Sequence, residues 1–145
     1  MAFFGVFGSK KEERARFDVR SAYLSAPALH YSVDGRVAFC HDGARTLEEL
    51  VGIARFFFAT TASNTPVQLG SETLTFLYRR YGKRLRSHVP CPCSFALYDV
   101  KRGVLLLGGA QGEKCFLEEI NGAYLFSSVP ELLRSPVAVD FAILK

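Results

Sequence analysis

Cys91-Pro92-Cys93 places two thiols one residue apart. Zinc knuckles and dithiol redox motifs space their cysteines by two, and no second pair or suitably placed His completes four ligands. The preferred reading is a pair of strand-edge thiols beside a rigid turn, with no metal expected. Cys40 is followed by His41, a combination that could supply a thiolate and its base. Adjacent side chains on a strand point to opposite faces, which favours a core thiol instead. Arg79, Arg80, Lys83, Arg84 and Arg86 crowd one short stretch. They could bind an acidic peptide or nucleic acid, or they could complement the carbonyl end of a helix as a solvated face. No aromatic stacking ladder accompanies them, so no nucleic-acid partner is expected. Gly108-Gly109 to Gly112 lacks the Lys-Ser/Thr ending and the following helix of a phosphate loop, and reads as a glycine-permissive turn. His30 and His88 have no evident partners in the sequence.

The elements that must position these groups are punctuated clearly. Residues 95–133 alternate short apolar runs with turn signals: a run over 95–99, Lys101-Arg102-Gly103, a run over 104–107, the glycines 108–112, a run over 114–117, Asn121-Gly122, and a run over 124–127. Asn-Gly between apolar runs is a strong hairpin signal, because both residues accept positive φ. The block is expected to be an antiparallel meander, closed by a first helical turn at Pro130-Glu131-Leu132-Leu133. Residues 2–8, with three Phe and one Val, fit a buried strand. A charged loop is expected over 9–16, then short runs over 17–24, 28–33 and 36–40, with a hairpin at Asp34-Gly35. Thr46 and Glu49 form a capping-box pattern, and Leu47, Leu50, Val51, Ala54 and Phe58 follow at helical spacing, so a helix is expected there. Residues 60–70 read as a loop. Ser71 caps a second expected helix, with Leu74, Leu77 and Tyr78 inward and Gly82 beyond its end.

At 145 residues, with 49% hydrophobic and 22% charged content, the chain suits one domain with a genuine core and not a disordered segment. Thirteen Phe and six Tyr without Trp point to an aromatic, strand-rich interior. The net charge of +4 permits an acidic partner without requiring one. No stretch has the length of a membrane span, the four Cys lack the density of a disulfide scaffold, and the N-terminal apolar run precedes its charges. A cytoplasmic protein with reduced thiols and no membrane partner is expected.

Several stretches, in order, resemble one family. Phe95-Ala96-Leu97-Tyr98-Asp99, the Leu105-Leu106-Leu107 run, Gly112-Glu113-Lys114 and Leu125-Phe126-Ser127-Ser128 resemble the end of the class II glutamine amidotransferase domain of asparagine synthetases. Gly5-Val6-Phe7-Gly8 is similar to that family's first strand. Asp42-Gly43 with Leu47-Glu48-Glu49-Leu50 is similar to its Asn-Gly…Glu-Leu stretch, and Ser71-Glu72-Thr73 to its Ser-Asp-Thr helix start. The resemblance implies an α+β fold of the N-terminal-nucleophile (Ntn) hydrolase type: an αββα sandwich of two antiparallel sheets flanked by helices. It spans residues 1–145 as a single domain, with 139–145 expected to begin a linker toward a synthetase domain.

The resemblance also implies what is lost. Active members use a free N-terminal Cys, whose thiolate attacks the glutamine amide while its own α-amine acts as base. Here Phe4 stands at the nucleophile position and no catalytic residue is expected. Asp42 stands where the family has an oxyanion-stabilising Asn, and a carboxylate there would repel the developing charge. No Arg-Gly-Pro motif holds a glutamine carboxylate, and Arg20 lacks its flanking residues. Asp42, Gly43, Ser71 and Glu72 would form a remnant of the glutamine pocket, and Arg79, Arg80, Lys83 and Arg84 a partner-binding face. The expected role is an inactive structural or docking domain of an ATP-dependent amide-forming enzyme, of the kind formed by β-lactam synthetases and lasso-peptide cyclases. Its partners would be an adenylating asparagine-synthetase-like domain or subunit and a precursor peptide. Cofactors are expected only there, as ATP and Mg in the partner domain. The alternatives are a thiol-dependent glutamine or amide hydrolase using a non-standard Cys, and a stand-alone module binding a peptide or small molecule.

Overall fold

The three Phe of the first run enter the molecule on both faces of one strand, β1 (Phe3–Phe7), in which every residue is buried. The computed structural model describes residues 2–8, 28–32, 34–41, 45–51, 54–61, 74–120 and 122–145. The expected loop over 9–16, the run over 17–24, most of the loop over 60–70, and Arg20 and Ser71 lie outside the described residues. The other elements are β2 (Ala28–Tyr31), β3 (Val37–His41), β4 (Arg45–Val51), β5 (Ala54–Thr60), helix α1 (Leu74–Tyr81) and a 3₁₀ segment (Gly82–His88). There follow β6 (Cys93–Asp99), β7 (Val104–Ala110), β8 (Cys115–Ile120), β9 (Ala123–Ser127), a 3₁₀ turn (Pro130–Leu132), β10 (Val137–Val139) and β11 (Phe141–Leu144).

These strands build two antiparallel sheets. One has six strands in the order β10-β8-β9-β1-β3-β2, and the other five in the order β11-β7-β6-β5-β4. The chain is mostly strand, with α1 the one α-helix among the described residues. Period-2 alternation divides the apolar side chains among three cores. Phe3, Phe7, Phe39, Phe57 and Phe126 meet between the sheets. The Phe39 ring lies 4.6 Å from that of Phe57 and 5.5 Å from that of Phe126, the latter edge-on. Phe4, Val6, Cys40 and Leu125 fill the outer face of the six-stranded sheet with Leu133. Phe56, Phe58, Phe95 and Leu97 face outward from the five-stranded sheet, where Leu74 and Leu77 of α1 cover them.

The expected hairpins at Asp34-Gly35, 101–103 and Asn121-Gly122 all form. Gly35, Gly103 and Gly122 take φ of +73°, +64° and +82°, while Asn121 lies outside the described residues. The first of these turns is also locked to the opposite sheet. Asp34 Oδ1 accepts from Ser32 Oγ (2.7 Å) and from the Arg36 N–H (3.1 Å), and Tyr98 Oη donates to Asp34 Oδ2 (2.6 Å).

Four expectations need correction. The helix expected from Thr46 is instead the hairpin β4–β5, in register from Arg45↔Thr60 to Val51↔Ala54. Phe56, Phe57 and Phe58 are all buried, and a one-sided helix cannot bury three consecutive aromatics. A strand inside a sheet covered on both faces can, sending Phe57 one way and its neighbours the other. The meander is divided as well: β6–β7 belongs to the five-stranded sheet and β8–β9 to the six-stranded one, with the chain changing sheets after Ala110. The glycines there are not all turn residues. Gly108 and Gly109 lie within β7, and the turn itself is Gln111-Gly112. The helix expected at Pro130 amounts to one 3₁₀ turn.

The chain changes sheets again at Asp140, the single residue between β10 and β11. Residues 139–145, expected to begin a linker, thus contribute to edge strands of both sheets. The two crossings touch. The Gly109 N–H donates to Asp140 O (3.0 Å), and Ser94 Oγ donates to Lys114 O (2.6 Å). A Cβ on Gly108 would lie 2.7 Å from Asp140 O, and one on Gly109 would collide with Glu113 O. Glycine is required at both positions because two backbones pass there at close range.

Candidate binding site at a basic corner

Beside that crossing, the basic stretch takes its shape from a change of helix type. Gly82 follows α1 with φ +57°, a conformation open to glycine, and the chain continues as a 3₁₀ segment. Three residues per turn eclipse positions i and i+3. Lys83 and Arg86 therefore share one face, Arg84 and Ser87 a second, and Leu85 the third. Leu85 is fully buried against the five-stranded sheet, so the other two faces turn away from the core. The far end is clamped by a ring stack of His88 on Tyr81, 3.5 Å between centroids and 7° from parallel. Tyr78 of α1 donates its hydroxyl to the buried Asp99 carboxylate (3.1 Å), fixing helix to sheet.

A depression of about 440 Å³ lies against this segment, lined by Lys83, Arg84, Arg86, Ser87, Val89, Gln111 and Phe141. Arg86 is held: its Nε donates to Gly109 O (2.6 Å), and its guanidinium lies 3.8 Å from Asp140 Oδ1. Lys114 Nζ lies 3.9 Å from the same carboxylate oxygen. Gln111 has φ +53°, unusual for a residue with a Cβ, and its amide donates to Val89 O (3.1 Å). The described lining thus offers three cations and no carboxylate beside an apolar wall of Val89 and Phe141.

Of the sequence-level site residues, Asp42, Gly43, Ser71 and Glu72 lie outside the described residues. Phe4 is fully buried in β1, in register with Cys40 of β3 and Ser127 of β9. Arg79, Arg80, Lys83 and Arg84 are all exposed; Lys83 and Arg84 meet at the depression, while Arg79 and Arg80 do not line it. Arg86, already in the basic stretch by sequence, completes it with Ser87, Val89, Gln111 and Phe141, and of these four only Ser87 follows from the i, i+3 spacing of a 3₁₀ segment. Cys40, Cys93 and Cys115 are buried and Cys91 half-buried, all as free thiols. Burial, then the neighbouring Cys91 sulfur, pushes the Cys93 thiol up to about 12. Burial likewise pushes Cys115 up to about 12. Among the described residues, no group of three or more His, Cys, Asp or Glu could hold a metal ion, and no helix is long and apolar enough to cross a membrane.

Compared with protein-family models and with curated protein sequences, the chain finds no match in either.

Proposed function

We propose that the chain is a catalytically inactive glutamine amidotransferase-like domain of Ntn-hydrolase type, with a structural or docking role beside an ATP-dependent amide-forming enzyme. The observation that carries this reading is Phe4. The position the resemblance aligns with the nucleophile holds an aromatic side chain with 0% exposure, inside a strand paired on both sides. Two antiparallel sheets packed face to face, with a helix on one outer face, are compatible with the implied architecture. Three of the four thiols are poor substitutes: Cys40 is sealed in the outer core, and Cys93 and Cys115 are held protonated at neutral pH, which leaves the half-buried Cys91 as the accessible one. In this reading Arg79, Arg80, Lys83 and Arg84 offer the cationic face on which an adenylating partner would seat.

The test is ammonia release. The purified chain with millimolar glutamine is expected to release none above the uncatalysed background, with or without the product of an adjoining amide-ligase reading frame. Release that disappears in Cys40→Ser or in Cys91→Ser would overturn the reading in favour of a thiol hydrolase. With the ligase present, co-purification weakened by the double change Arg79→Glu, Arg80→Glu would support docking. An unaffected complex would move the interface elsewhere on the molecule.

A further inference from the structure

We infer that the basic corner is a binding site for a small phosphomonoester carrying an apolar organic group. The inference does not depend on the amidotransferase reading. Its ground is the convergence of Lys83, Arg84 and Arg86 on one concave surface whose described lining holds no carboxylate, Arg86 alone sharing its charge with Asp140 Oδ1 beside it (3.8 Å). A phosphomonoester carries a charge of about −1.5 to −2 at pH 7, closer to this set of cations than a single carboxylate is. Guanidinium groups present planar pairs of N–H donors that suit phosphate oxygens. Arg86 is already oriented by its bond to Gly109 O, so less side-chain freedom is lost when an anion arrives. Ser87 Oγ is engaged with Arg84 O (3.0 Å), which braces the same turn.

Val89 and Phe141 decide the other half of the ligand. A bare, fully hydrated anion gains nothing from an apolar wall, whereas an organic group laid on the half-buried Phe141 ring, with the buried Val89 behind it, removes apolar surface from water. The volume of about 440 Å³ falls in the range of about 300–1,000 Å³ of small-molecule sites. A nucleic acid would call for successive stacking platforms, and Phe141 is the one aromatic in the described lining.

The probe is phenyl phosphate, titrated into the whole chain at low salt, with amide shifts of Arg84, Arg86, Ser87 and Gln111 as the readout. Saturable binding is expected at these four positions. Arg84→Glu, an exposed site whose fold is checked by circular dichroism, should weaken it at least tenfold. Phe141→Ala should weaken phenyl phosphate while leaving inorganic phosphate unchanged, and benzoate should bind at least tenfold less tightly than phenyl phosphate. The proposal is overturned by a linear, unsaturated response, by equal affinity for benzoate, or by an Arg84→Glu variant that binds as the parent does. Tighter binding of a hexaglutamate peptide than of phenyl phosphate would also overturn it and assign the corner to an acidic peptide.

Discussion

Each thiol is governed by where its strand puts it. Cys40 points into the outer core of the six-stranded sheet, Cys115 lies between the sheets, and Cys93 lies under the 3₁₀ segment. Cys91 stands two residues before Cys93, outside the strand, and is half-buried. An aromatic disulfide reagent at pH 8 is therefore expected to label one thiol quickly, Cys91. The other three should react only at the rate of unfolding, and Cys91→Ser should remove the fast phase alone. A second fast thiol would show a reactive cysteine that burial does not suppress. The opposite-face argument for Cys40 and His41 was sound at this scale because it needed only the geometry of a strand. The depth of Cys93 was not legible, since it depends on Leu85 and α1 closing over it from other elements.

At the scale of elements, the glycines of β7 separate two kinds of requirement. Gly112 takes φ +92° with open space around it, so a side chain there meets only backbone strain. At Gly109 a side chain would meet Glu113 O and, at 2.6 Å, Lys114 N. Gly112→Ala is expected to cost about 1 kcal/mol, the penalty of a left-handed residue. Gly109→Ala should cost more than about 3 kcal/mol and broaden the signals of Asp140 and Lys114, because backbone must move. Urea unfolding of the two variants orders them, and equal costs would remove the packing argument. Turn glycines such as Gly35 and Gly122 were readable because their demand is local. The demand on Gly108 and Gly109 comes from Asp140 and Glu113 across a sheet change, which no window of sequence displays. The misread helix at Thr46 has a similar origin. A capping box and helical spacing are both present, yet Phe56, Phe57 and Phe58 are all buried, and burial on two faces prevails over the local pattern. The basic stretch was legible as charge, and its concavity was not, because that depends on the 3₁₀ period and on Phe141.

For the whole molecule, the link between sheets through Asp34 and Tyr98 sets a pH window. Burial alone would raise the Asp34 carboxyl, but the Tyr98 and Ser32 hydroxyls, the Arg36 N–H and the Arg36 charge together hold it below its ordinary value. A lowered carboxyl stabilises the fold above the unfolded pKa of about 3.9, and that contribution fades as pH falls below it. Tyr98 is pushed up to about 12 by burial, then by its bond to Asp34 and by that carboxylate's charge. A raised acid stabilises fully below its unfolded value, about 10 for Tyr and about 8.5 for the thiols of Cys93 and Cys115, and the contribution is lost as pH climbs toward 12. The urea midpoint should therefore be flat from about pH 5 to 8 and fall on both sides. Tyr98→Phe should lower the plateau by about 1–2 kcal/mol and flatten both limbs, and a variant with the parent's pH profile would show that the link contributes nothing.

The place of β1 has a consequence for how the chain assembles. It lies in the middle of the six-stranded sheet, with β3 on one side and β9 on the other, and Ser127 Oγ donates to Phe3 O across 124 positions. Until β9 has been made, a strand reading Phe-Phe-Gly-Val-Phe keeps one edge open and much of its aromatic surface uncovered. Closing so long a loop late is slow, and refolding on the millisecond-to-second scale is expected of such non-local strand pairing. During synthesis this edge is a template for another chain's strand. The residues that seal the native core are thus the ones most in need of protection while the protein is being born.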